Sequence, residues 1–154
     1  MSKAAFDEQK AHPYYAVACF NGAWELIDKA YRTTDEEERL LQLAMASAWH
    51  WSQREDCQPQ NLSISYWQIS RIHAVCGRGD EALRYGNRCL DVSREDGVAP
   101  FAEAYAYEAL ARAEMVTGDR ARMNAWLTKA HQAADTIPDE ETRKALLADL
   151  ETIR

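Results

Sequence analysis

A chain of 154 residues at 47% apolar and 28% charged can bury roughly 70% of its unfolded surface, which suits one folded domain and argues against disorder. Six glycines and four prolines are too few for the turns of an all-β fold. Twenty-five acidic residues against eighteen lysines and arginines give a net charge of −7, which repels phosphate backbones and anionic lipid and argues against nucleic acid as a partner.

Met1 to Lys10 lacks the apolar core of a secretory signal, and the longest apolar run, Tyr14 to Phe20, is too short to span a membrane. A cytoplasmic protein is therefore expected. Cys19, Cys57, Cys76 and Cys89 show no CxxC spacing and read as free, buried thiols.

Pro13, Pro59, Gly77, Gly79, Gly97, Pro100, Gly118 and Pro138 fall where helices should break, and between them apolar residues recur every three or four positions. This predicts an all-α chain of seven helices. The first runs from Tyr14 to Tyr31. The second, from Asp35 to Arg54, is opened by a capping-box pair, Thr34 and Glu37. A polar loop, Glu55 to Gln60, precedes a third helix capped by Asn61 or Ser63 and ending near Cys76. Asp80 starts the fourth, which ends around Glu95. Ala99 to Thr117 and Asp119 to Thr136 are the fifth and sixth, and Pro138 with Asp139, Glu140 and Glu141 opens a seventh.

Self-similarity underlies these helices. Trp24, Ile27, Asp28 and Tyr31 have the spacing of Tyr66, Ile69, Ser70 and His73, and again of Tyr107, Leu110, Ala111 and Glu114. The starts are 42 and 41 residues apart. In the following helix Leu41, Met45 and Ala48 answer Ala82, Gly86 and Cys89, then Met123, Leu127 and Ala130. A hairpin that cannot bury its own apolar face stacks on copies of itself, so the chain reads as a single repeat domain. Its three hairpins are 14–54, 61–95 and 99–136, and 138–154 is the capping helix.

The pattern resembles the tetratricopeptide repeat family from about Asn21 to Ile137, most clearly in Tyr66 to Leu90, with a period longer than the common 34 residues. The resemblance implies a stack of helical hairpins whose first helices line a concave groove for a peptide or a partner's helix. Lys29, Arg71 and Arg112 stand next to the small packing position in the three copies, which implies a basic groove suited to an acidic partner. Trp67 and Tyr105 add aromatic surface on the same helices. Glu25 and Glu108 lie four residues before Lys29 and Arg112 and can pair with them, whereas Trp67 can stack on Arg71.

The chemistry of catalysis is thin. His73 and Cys76 share a helix face, and His50 or Cys57 could complete a metal set, but four spaced ligands are lacking. Neither a nucleophile elbow nor a phosphate-cradling glycine loop occurs. The reading is a non-catalytic interaction module with no metal or cofactor. Its alternatives are a homodimer formed through Trp49 or Trp51, which cannot both face the same way on one helix, and a metal- or thiol-dependent enzyme using His73 and Cys76.

Overall fold

The computed structural model describes residues 6–154, and among these every regular element is helical. The helices are α1 (Glu8–Ile27), α2 (Thr34–Ser52), α3 (Pro59–Val75), α4 (Gly79–Ser93), α5 (Pro100–Thr117), α6 (Arg120–Ala134) and α7 (Glu140–Glu151). The all-α expectation of hairpins followed by a last helix is met. The chain divides into two compact units, Met1–Cys57 and Gln58–Arg154.

In the first unit α1 and α2 form an antiparallel hairpin. Helix α1 starts six residues earlier than the sequence suggests, because Asp7 caps it by accepting the Lys10 N–H at 3.3 Å. Pro13 lies inside the helix and removes one backbone hydrogen bond rather than ending the element. The helix stops at Ile27, not Tyr31. The Arg32 guanidinium donates to the carbonyls of Leu26, Ile27 and Lys29, satisfying the acceptors that a C-terminus leaves open. Tyr31 is consequently in a loop and 90% exposed, while His73, its counterpart in the second copy, is buried. The capping box of α2 sits one residue before the expected pair: Thr33 Oγ1 accepts from Glu36 N–H, and the Glu36 carboxylate accepts from Thr33 N–H.

The second unit holds five helices; one apolar cluster includes Leu110, Met123, Leu146, Leu150 and Ile153, and Ala74, Ala82 and Ala113 form another. Pro59 takes the first position of α3, a place where its missing N–H is not needed, and Pro100 does the same for α5. The α3 and α4 helices run antiparallel, since Ser63 meets Cys89 and the Ser70 hydroxyl donates to the Ala82 carbonyl at 2.8 Å. At Gly86 the backbone of α4 approaches α5 so closely that a Cβ would lie 3.0 Å from a Leu110 methyl. Helix α5 ends on Gly118 at φ 87°, where the left-handed turn costs glycine no Cβ clash.

Burial repeats with the expected period. Ala23, Ser65 and Ala106 are buried, as are Ile27, Ile69 and Leu110, each set separated by 42 and then 41 residues. In the second helices of the hairpins Leu40, Ala82 and Met123, and Ser47, Cys89 and Ala130, do the same. The register of α2 is therefore one residue earlier than the sequence alignment of Leu41, Met45 and Ala48, and Met45 is 44% exposed.

Candidate functional site

Four of the five residues expected to line a groove come together in the second unit, on α3 and α5. These helices lie side by side and parallel, as the rising pairs Trp67 with Tyr105 and Arg71 with Glu108 require. Lys29 belongs to the first unit, in the loop after α1, where it pairs with Glu36 rather than Glu25.

The two arginines are committed within the unit. Glu108, on α5, is fully buried and accepts from three donors: Trp67 Nε1 at 2.8 Å, Arg71 Nη2 at 3.1 Å and Arg112 Nε at 2.7 Å. Helix α7 supplies the remaining acceptors. Asp149 Oδ1 lies 3.0 Å from Arg71 Nη2, and Arg112 Nη2 donates to the Asp149 carbonyl and to Thr152 Oγ1. Two cations thus face two carboxylates, and the patch is neutral. The Trp67 ring also carries the Arg71 guanidinium, 5.7 Å from its centroid.

Beside this network a cavity of about 200 Å³ opens between α3, α4 and α5, walled by Ser63, Ile64, Trp67, Cys89, Phe101, Ala102 and Tyr105. Tyr105 meets Trp67 edge to face at 5.1 Å and Phe101 at 6.5 Å. Burial, with the charges of Asp149 and Glu108, pushes the Tyr105 phenol up to about 12, so it stays neutral at any ordinary pH. Burial does the same to the Cys89 thiol, also to about 12, which keeps it from acting as a nucleophile.

The remaining residues singled out in the sequence are dispersed. His73 is buried and stacked on Tyr85, with ring centroids 5.6 Å apart, and desolvation holds its imidazole below the usual range. Among the described residues no group of three or more His, Cys, Asp or Glu gathers as a metal site. All four cysteines are free, but only Cys89 is buried; Cys19, Cys57 and Cys76 are partly exposed, contrary to the expectation that all four pack inside. Trp49 is 55% exposed, and the Arg54 guanidinium lies over the Trp51 ring.

Glu108 was visible in the sequence only as a partner four residues before Arg112. Its signal was its place on the apolar stripe of an alanine-rich helix, where an unpaired acid would be prohibitively desolvated. Asp149, Thr152, Ile64 and Phe101 carried no such signal. Compared with protein-family models, curated proteins and solved structures, the chain matches none.

Proposed function

We propose that the chain is a non-catalytic protein-interaction module of tetratricopeptide-like repeats, and that the α3–α5 face of the second unit receives a peptide or a partner's helix. The observation that carries this reading is the pairing of a preorganised charge network with a half-open aromatic surface at Trp67 and Tyr105. Rigid aromatic side chains of this kind lose little entropy on binding and dominate interface energetics. With Arg71 and Arg112 neutralised internally, apolar contact rather than attraction for an acidic segment is the main source of affinity.

The charge network also decides which substitution tests the reading. Arg71→Ala would uncover the buried Glu108 and so perturb the fold. Tyr105→Ala is cleaner, because Tyr105 makes ring contacts but is not one of the donors to Glu108. A partner recovered by affinity capture should bind the Tyr105→Ala chain about tenfold more weakly, roughly 1.4 kcal/mol, with Lys144→Ala on the exposed side of α7 as the neutral control. Unchanged affinity would remove the α3–α5 face from the interface.

A second reading, self-association, is favoured by one observation: among the described residues the exposed large apolar ones, Phe6, Tyr14, Tyr15, Val17, Tyr31, Met45 and Trp49, all belong to the first unit. A molar mass by light scattering that does not change with concentration would dispose of it.

A further inference from the structure

We infer that the cavity between α3, α4 and α5 is a binding site for one small neutral aromatic ring. Its volume of about 200 Å³, open to solvent on one side, has room for a single ring, since an apolar cavity of roughly 150 Å³ takes up benzene. Water is a poor occupant, because it needs two to four polar partners. The polar groups of Ser63, Cys89 and Trp67 are already engaged: Cys89 Sγ lies 3.5 Å from Ser63 Oγ and donates to the Ser63 carbonyl at 3.3 Å, and Trp67 Nε1 is held by Glu108.

The same surroundings select against charge. An ion of either sign would leave water for a wall with no charged side chain in it, and the carboxylates and guanidinium groups nearby are already paired with one another. Shape favours a ring over a chain. Tyr105 meets both Trp67 and Phe101 edge to face, and the three rings offer further faces and edges to a flat guest. Such a guest arrives either free or as the side chain of a partner. The inference does not depend on the partner reading above, since the cavity is built by the second unit alone.

Toluene is the test, added to the full chain while the tryptophan indole N–H resonances are followed by NMR. Of the five tryptophans only Trp67 lines the cavity. Its N–H signal, assigned with Trp67→Phe, should shift saturably with a dissociation constant of about 0.1–1 mM, typical of a seven-atom apolar ligand. Benzoate should bind at least about tenfold more weakly. Ala102→Leu, which adds bulk at a buried position of the lining, should abolish the shift while helical circular dichroism is retained. Should that chain fail to fold, Ile64→Trp blocks the cavity from a partly exposed position. No saturable shift, equal binding of benzoate, or a shift that survives in a folded blocking variant overturns the inference. If toluene binds and also displaces a captured partner, the ring belongs to that partner's side chain; if it binds without displacement, the ligand is free, and the partner face lies elsewhere.

Discussion

The two units solve the same packing problem with different means. The first is one hairpin, and its buried stripe joins the small residues Ala16, Ala23, Ala44 and Ser47 to Ile27 and Leu40. Tyr14, Tyr31 and Trp49, among its larger side chains, remain exposed. The second unit wraps two hairpins and a last helix around a common core, and there even Glu108, Arg112 and Glu114 are buried. Both carry the same burial repeat, and within the second unit the stacking of one hairpin on the next closes an interior that takes in charged groups as well. Stacking, rather than the repeat itself, is what seals a helical array.

The largest effect that would sharpen this contrast is expected at Glu108. Glu108→Ala leaves two nearly buried guanidinium groups short of their shared acceptor, and removing one partner from such a network costs about 3–5 kcal/mol. Urea unfolding monitored in the second unit should show it; a loss under 1 kcal/mol would mean that the network is solvated and contributes little. Next comes Ala82→Trp, which forces a large ring into a fully buried position at the α3–α4 contact and should cost about 1–3 kcal/mol or more. Met45→Trp, at the exposed position that the sequence aligned one residue from its true counterpart, should change stability by less than about 0.5 kcal/mol. Equal losses at both positions would place α2 in the register of the sequence alignment after all.

The smallest effect is expected from acid, and it falls on both units. His50 Nδ1 lies 2.9 Å from His12 Nδ1, so a second proton would set two donors against each other. Burial first, and then the charge of His12, holds the His50 imidazole below its ordinary range. His73 is held down chiefly by burial against Tyr85. A base depressed on folding contributes stability that is present above the unfolded value near 6.5 and is lost as pH falls through the lower folded value. Melting temperature should therefore decline below about pH 6.5. His50→Asn should remove the first unit's share and His73→Phe the second's, read by NMR probes in each. A profile unchanged by both substitutions would mean that neither histidine titrates with folding.

Periodicity made the helices, the three hairpins and the neighbouring placement of Arg71 and Arg112 readable, because each depends on residues close in sequence or on a repeat. Helix ends were harder. The early stop of α1 depends on Arg32 reaching back to three carbonyls, and the register of α2 depends on which side of the helix met Ala16, where Ser47 Oγ donates at 2.7 Å. The charge of the groove was misread for a related reason. A search four residues either way finds no acid beside Arg71, but its acids come from α5 and α7, 37 and 78 residues away. The cavity was invisible because its walls are assembled from three helices, and its key feature is the volume that no side chain fills.

The Glu108 carboxylate has one more consequence, for cooperativity. It accepts from α3 and α5 at once, and both arginines that it holds also grip α7. These three helices therefore do not loosen independently. Trp67→Phe and Thr152→Ala, on different helices and far apart in sequence, act on one shared node, and their effects should depart from additivity, as residues in one network do by about 0.5–3 kcal/mol. The amides of α7 around Asp149 should therefore exchange with solvent through the same opening event as the amides of α3, and not by separate local opening.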